Sequence, residues 1–93
     1  MTSAEVEIEI IKTLQELQAG CGEPAREITA KTLPLEDLGF FDSLLAIETT
    51  LLLEERLKCN CPEDSVFADK DSAKPLSVAQ IASRLLHFIG KAA

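Results

Sequence analysis

The sequence predicts an all-α protein, folded as a small, irregular four-helix bundle. Two capping-box patterns, Thr2 with Glu5 and Ser77 with Gln80, mark helix starts near the two ends of the chain. Between them, residues 43–58 contain no glycine or proline and are rich in leucine and glutamate, which favours another long helix. No stretch shows the alternation of apolar and polar residues that is typical of a half-buried strand. We therefore expect three longer helices and one short helix.

The length and charge of the chain limit the kinds of partner that it can have. Its 93 residues can bury one small core, so we interpret residues 1–93 as a single domain that folds as a monomer. The 16 acidic residues outnumber the 9 Lys and Arg, and the net charge of -7 repels the phosphate backbone of nucleic acid. We expect no nucleic-acid partner and, instead, proteins that offer basic patches.

The sequence predicts neither export nor membrane insertion. The opening residues "MTSAEVEIEI" carry acids where a secretory signal has basic residues followed by an unbroken apolar stretch. The longest apolar-rich run, residues 44–53, is about half the roughly 20 residues that a membrane helix needs. We expect a cytoplasmic protein without a membrane span.

The three cysteines do not predict a disulfide or a metal site. Cys21, Cys59 and Cys61 are odd in number and occur without secretory features, so we expect reduced thiols. Cys59 and Cys61 could form half of a metal site, but His87, the one histidine, is distant in sequence. A thiol-based metal or redox protein is therefore the weakest hypothesis. Cys21 lies between two glycines, which predicts a turn.

The first helix and the segment after it differ in pattern. The helix is expected to run from its capping box to Gly20. Ile8 lies off the apolar stripe, so either the buried face is wider than the stripe or Ile8 is partly exposed. Residues 20–42 contain three glycines and two prolines, which predicts a long, ordered loop with room for one short turn of helix. The stripe consists of Val6, Ile10, Leu14 and Leu17, and the apolar anchors of the loop are Ile28, Leu33, Leu35 and Leu38.

A short helix, a loop and a last helix are predicted for the final third of the chain. Pro62 and the acids behind it fit a first helical turn, so residues 62–67 are expected to be helical. The polar residues 68–74 are expected to form a loop. The last helix starts at the Ser77 capping box and is expected to end at Gly90, with His87 on its polar, exposed side.

The helix predicted for residues 43–58 is apolar on two faces. At 100° per residue, the apolar residues separate into two groups, and the second group alternates with acids. A helix that is buried nearly all round would explain this pattern, and so would an exposed stripe that binds another protein. The first group is Ala46, Leu53 and Leu57 with Thr50, the second group is Leu44, Ile47 and Leu51 with Glu48 and Glu55, and Leu45 and Leu52 lie between them.

Asp42 and Ser43 stand where this helix begins. Unpaired amides and the helix dipole favour negative charge there, so a phosphate ester on the Ser43 hydroxyl would be stabilised. The alternative is that both residues only cap the helix. Nucleophilic catalysis by Ser43 is not expected, because the histidine lies on the outer face of another helix. No carboxylate pair, metal-ligand spacing or phosphate-binding glycine loop indicates an enzyme.

The segment "LEDLGFFDSLLAIETTLLLEERL", residues 35–57, resembles the region around the Asp-Ser-Leu motif of acyl carrier proteins. The order and size of the predicted helices are similar to this family along the whole chain. The resemblance implies an acyl-carrier-like bundle in which Ser43 carries 4'-phosphopantetheine, taken from coenzyme A by a phosphopantetheinyl transferase. It also implies that acyl or aminoacyl groups are held on this arm as thioesters, loaded by a ligase and passed to a downstream synthase or transferase.

The resemblance assigns further roles to residues near Ser43. Asp42 matches the aspartate of the motif, which in the family is associated with the transferase reaction and its magnesium ion. The second apolar group of the helix falls on the recognition face of the family, which implies partner binding by Leu44, Ile47, Glu48, Leu51 and Glu55.

Three residues depart from the carriers of primary fatty acid synthesis. Those carriers usually have one residue between the motif's glycine and aspartate and an acid after Asp-Ser-Leu, whereas this chain has Phe40, Phe41 and Leu45 there. These features are similar to stand-alone carriers of specialised pathways, including aminoacyl, D-alanyl, peptidyl and polyketide carriers. The sequence does not choose among them. The alternative function is a non-carrying helical module that docks through the same helix.

Overall fold

Four α-helices make up the fold in the residues that the computed structural model describes, which are 2–23, 27–61, 65–69, 71–72 and 74–92. The helices are α1 (Ser3–Gly20), α2 (Pro34–Asp37), α3 (Ser43–Leu57) and α4 (Val78–Ala92). Within the same residues there is no strand beyond an isolated bridge between Ala68 and Pro75. The predicted all-α class is confirmed. No helix in these ranges has the length and apolar character needed to cross a membrane.

The predicted capping box starts α1. The amide of Glu5 donates to Thr2 Oγ1 at 3.2 Å, and the amide of Thr2 donates to Glu5 Oε1 at 2.9 Å. These hydrogen bonds hold the pKa of the Glu5 carboxyl below its ordinary value. The helix ends in a turn at Cys21 and Gly22, where the glycine adopts the left-handed conformation. Ile8 is 62% exposed, so it lies outside the core.

The core lies where α1 meets α3 and α4. The apolar stripes of the three helices fill it with fully buried aliphatic side chains, and their burial supplies the main driving force for folding. α1 contributes Val6, Ile10 and Leu14, α3 contributes Ala46, Leu53 and Leu57, and α4 contributes Val78, Ile81, Ala82 and Leu85.

The long loop between α1 and α3 is anchored to α4, as its apolar residues predict. The carbonyl of Thr32 accepts a hydrogen bond from the amide of Val78 at 2.9 Å. The carbonyl of Ala30 accepts one from the amide of Ala79 at 2.9 Å. The loop thus supplies acceptors to the first turn of α4, whose amides have none within the helix. Its buried apolar residues are Ile28, Leu38 and Phe41, and Leu33 and Leu35 are half-buried.

The short helix predicted at residues 62–67 is wrong where the structure describes that segment. Residues 65–67 are not helical, and residues 62–64 lie outside the described ranges. The amide of Val66 donates to Thr50 Oγ1 at 3.2 Å, and the carbonyl of Phe67 accepts from the amide of Leu76 at 3.0 Å. These backbone groups therefore bond to α3 and to the segment before α4 instead of to a helix of their own. We call residues 65–68 the clasp.

The ends of α4 differ in how well the sequence predicts them. The capping box at its start is confirmed: the amide of Ser77 donates to Gln80 Oε1 at 2.9 Å, and the amide of Gln80 donates to Ser77 Oγ at 3.3 Å. The predicted end at Gly90 is wrong, because the helix continues to Ala92. A glycine weakens a helix interior by about 1 kcal/mol but does not by itself stop the helix. His87 is exposed, as predicted.

Candidate functional site

The candidate site is the N-terminus of α3, where Asp42 is the capping residue and Ser43 the first helical residue. Asp42 Oδ1 accepts a hydrogen bond from the amide of Leu45 at 2.8 Å, and the Asp42 carbonyl accepts from the amide of Ala46 at 2.9 Å. The hypothesis that Ser43 serves as the cap is therefore wrong. Capping is done by Asp42 alone, which leaves the serine hydroxyl without that role.

The Ser43 side chain is open to solvent. The residue is exposed, and nothing in the described part of the chain forms a hydrogen bond with its hydroxyl. The amides of the first helical turn and the helix dipole make this position favourable for negative charge. A phosphate ester on Ser43 Oγ would thus fit both sterically and electrostatically.

Two aromatic rings fix the chain just before the site. Phe41 is 3% exposed, and its ring lies edge-on to that of Phe67 with centroids 4.9 Å apart. Its amide donates to the carbonyl of Leu38 at 3.0 Å. Phe40 is half-buried against Phe41, with centroids 6.1 Å apart. The two rings therefore anchor the approach to α3.

One face of α3 is left exposed beside Ser43. Leu44 is 66%, Ile47 40% and Leu51 61% exposed, so the helix is not buried all round. Exposed Glu48 and Glu55 alternate with these apolar side chains. We call the five residues the α3 stripe. Contiguous apolar surface of this kind is typical of a protein-binding site, and the carboxylates favour a basic partner.

The hydroxyl of Thr50 connects α3 to the clasp, a contact that the sequence pattern does not reveal. Thr50 Oγ1 donates to the carbonyl of Ala46 at 2.8 Å and accepts from the amide of Val66 at 3.2 Å. Thr49 is equally buried, but its hydroxyl lacks a hydrogen-bond partner among the described residues. The sequence does not assign Val66 or Phe67 to the site. The local pattern of their segment predicts a short helix and gives no sign of a contact with α3.

At the other end of α3, Arg56 joins the helix to α1. Its guanidinium donates to Glu16 Oε2 at 2.7 Å and to Thr13 Oγ1 at 2.9 Å. The hydrogen bond from Arg56 holds the pKa of the Glu16 carboxyl below its ordinary value, and the carboxylate raises the pKa of Arg56 in turn. These groups line a shallow surface depression together with Glu9 and Lys12. Because Glu16 and Arg56 satisfy each other's charge, we interpret this cluster as structural.

The thiols do not form a metal site within the described residues. Cys59 and Cys61 are buried and unbridged, and Cys21 is exposed. Burial raises the pKa of both buried thiols, and the nearby Glu54 carboxylate raises each further. Across the described ranges, no three His, Cys, Asp or Glu side chains are close enough to hold a metal ion.

Comparison with known protein families gives a match that covers the candidate site. The family model described as "Phosphopantetheine attachment site" matches residues 9–74, a range that includes Asp42, Ser43 and the α3 stripe. No curated protein and no solved structure matches the sequence significantly.

Proposed function

Because this chain belongs to the phosphopantetheine attachment site family, we propose that Ser43 is the residue that bears its phosphopantetheine arm. The cofactor of this family is a covalently attached 4'-phosphopantetheine, and its members act as carriers. The observation that carries the assignment is the exposed Ser43 hydroxyl at the start of α3, beside an exposed apolar stripe. The environment favours a phosphate on that oxygen.

Attachment of the arm is a phosphoryl-type transfer onto the serine oxygen. Ser43 Oγ forms a bond to the phosphorus that bears the pantetheine in coenzyme A, and the pyrophosphate P–O bond breaks. The nucleotide part of coenzyme A leaves with the electron pair, and the serine proton passes to a base of the transferase. Asp42 Oδ1 accepts a hydrogen bond from the amide of Leu45, so the carboxylate is held at the N-terminus of α3, where Ser43 is the first helical residue. We propose that it assists this reaction, as the family motif implies.

The α3 stripe is proposed as the docking surface for partner enzymes. Carrier domains of this family interact with phosphopantetheinyl transferases and with synthases. The exposed side chains of Leu44, Ile47 and Leu51 provide apolar contact area, and Glu48 and Glu55 provide charge for steering and register. Both attachment and docking thus use the same helix, so a bound partner would face the arm.

We propose that residues 1–93 act as one cytoplasmic, monomeric carrier domain that does not itself catalyse a reaction. When bound, the arm would hold acyl or aminoacyl groups as thioesters and present them to a loading ligase and a downstream synthase or transferase. Phe40, Phe41 and Leu45 favour a specialised pathway, such as aminoacyl, peptidyl or polyketide transfer, over primary fatty acid synthesis.

Co-expression with a phosphopantetheinyl transferase, followed by intact-mass measurement, tests this assignment. The wild type should gain the mass of one arm, and Ser43→Ala should gain none. Ser3→Ala is a matched control, because Ser3 is also an exposed serine at the first position of a helix, directly after the capping residue. It should be modified like the wild type. A wild type that stays unmodified with several transferases would favour a non-carrying interaction module.

A further inference from the structure

The first turn of α3 has few contacts of its own with the core. Asp42, Ser43 and Leu44 are all exposed, Leu45 is only partly buried against the core, and the first fully buried residue of the helix is Ala46. On the other side of the turn, the nearest buried residue is Phe41. The placement of the Ser43 hydroxyl relative to the body of the bundle therefore depends on the partly buried Leu45 and on what holds the Phe41 ring.

Phe67 of the clasp holds that ring. Its side chain is fully buried, and the two ring centroids are 4.9 Å apart at an interplanar angle of 61°, a favourable edge-type arrangement. Such a pair stabilises the contact beyond the apolar area that it buries. Phe67 is distant from Ser43 in sequence, so the support comes from the tertiary structure.

The clasp is itself tied to two helices. On one side of Phe67, the amide of Val66 donates to Thr50 Oγ1 at 3.2 Å. On the other side, the carbonyl of Ala68 accepts from Arg84 Nη1 at 2.8 Å. Because hydrogen bonds to α3 and to α4 hold its flanks, Phe67 is a fixed support that cannot readily follow a movement of Phe41.

We propose that Phe67 is a positioning residue for the modification of Ser43, acting through Phe41; this inference rests on the proposed function. The contact sets the geometry in which the serine hydroxyl is presented to the transferase. Without the Phe67 ring, the backbone at Asp42 and Ser43 would be able to shift while the rest of α3 stays in place. Small misplacements of a reacting group reduce the rate of a positioned reaction strongly.

The decisive comparison is the kinetics of arm transfer to wild type and Phe67→Leu. The kcat for the variant should fall on the order of tenfold. Its KM should change less than about twofold, because most of the α3 stripe lies beyond Ala46 and is anchored by the core. Leu14→Ala is the control: Leu14 is fully buried, and its neighbour Thr13 contacts Arg56 at the far end of α3. Its kcat and KM should both remain near those of the wild type.

Two further measurements test the positioning role: amide exchange, which does not require arm transfer, and the kinetics of variants at Phe41. Amide exchange of Leu45, whose amide is held by the Asp42 cap, should become faster in Phe67→Leu but not in Leu14→Ala. Phe41→Leu should reproduce the lower kcat. The variant that combines Phe41→Leu with Phe67→Leu should show a smaller fall in kcat than the two single effects would give together.

The outcomes separate the two proposals. A wild type that accepts no arm would overturn the proposed function and this inference with it. If the wild type is modified and Phe67→Leu reacts with an unchanged kcat, only the positioning role is overturned. An equal loss of kcat in Leu14→Ala would also overturn it, because the effect would then follow from general destabilisation.

Discussion

Thr49 and Thr50 are adjacent and equally buried in α3, yet they differ in hydrogen bonding. Thr50 Oγ1 donates to the carbonyl of Ala46 and accepts from the amide of Val66. Thr49 Oγ1 has no hydrogen-bond partner among the residues that the structure describes. One hydroxyl therefore stabilises the link between α3 and the clasp, and the other costs free energy because it was removed from water without compensation.

Replacement of each threonine by valine should have opposite effects. Thr49→Val removes an uncompensated polar group and should raise the free energy of unfolding by about 1 kcal/mol. Thr50→Val leaves the amide of Val66 buried without its acceptor. This variant should lower the free energy of unfolding by about 1–3 kcal/mol. Urea unfolding monitored by circular dichroism measures both. Equal changes in the two variants would contradict the assigned hydrogen bonding.

The division of roles between Asp42 and Ser43 predicts a difference in stability. Asp42→Ala removes the acceptor for the amide of Leu45 and should cost about 1 kcal/mol, the usual effect of losing a helix cap. Ser43→Ala removes an exposed hydroxyl that is not the cap and should change the free energy of unfolding by less than about 0.5 kcal/mol. Thermal unfolding of the unmodified proteins distinguishes them. A cost for Ser43→Ala as large as for Asp42→Ala would contradict the structure.

Docking through the α3 stripe predicts a binding defect at Leu51 but not at an equally exposed residue elsewhere. Leu51 is 61% exposed on α3, and Ile8 is 62% exposed on α1. Leu51→Ala should raise the KM of the phosphopantetheinyl transferase for this protein on the order of tenfold, as expected for an apolar contact central to an interface. Ile8→Ala should leave it within about twofold. Equal effects of the two variants would argue against the α3 stripe.

The Glu16–Arg56 ion pair predicts an acid-dependent loss of stability. The pKa of Glu16 is lowered in the folded protein from an ordinary value of 4.5, so the pair stabilises the fold above that pH. The contribution disappears as the pH falls through the lower, folded pKa. The urea midpoint of Glu16→Gln should therefore lie below that of the wild type at neutral pH and approach it under acidic conditions.

A matched control for this ion pair is Glu23→Gln. Glu23 is exposed and forms no ion pair in the described part of the chain. Its midpoint should follow that of the wild type at every pH. A wild type and a Glu16→Gln variant that differ by the same amount at neutral and at acidic pH would contradict a titrating contribution.

The thiols should react at different rates with an alkylating reagent. Cys21 is exposed, whereas burial and the Glu54 carboxylate raise the pKa of the Cys59 and Cys61 thiols, which keeps them protonated at neutral pH. Mass spectrometry of the unmodified protein should show one rapid label under native conditions and three in denaturant. Cys21→Ser should abolish the rapid label. Rapid labelling of Cys59 in the folded protein would show that it is not buried.

Sequence signals that involve only neighbouring residues correctly predicted where α1 and α4 begin. The capping boxes at Thr2 and Ser77 are both formed, because each needs only residues within one turn. The helix predicted at residues 62–67 is wrong at residues 65–67, because the backbone groups of Val66 and Phe67 bond to Thr50 and Leu76, which lie outside that segment. The end predicted at Gly90 failed because glycine only weakens a helix.

The sequence by itself determined that α3 has two apolar faces and that Asp42 and Ser43 stand at its start, since both follow from helical period and capping preference. Only the tertiary structure decided which face is buried, because Ala46, Leu53 and Leu57 belong to the same core as residues of α1, α4 and the clasp, whereas the α3 stripe stays exposed. It also brought the ring of Phe67 against that of Phe41, just before Ser43. Contacts between residues far apart in the chain depend on how the elements pack, and no local pattern records them.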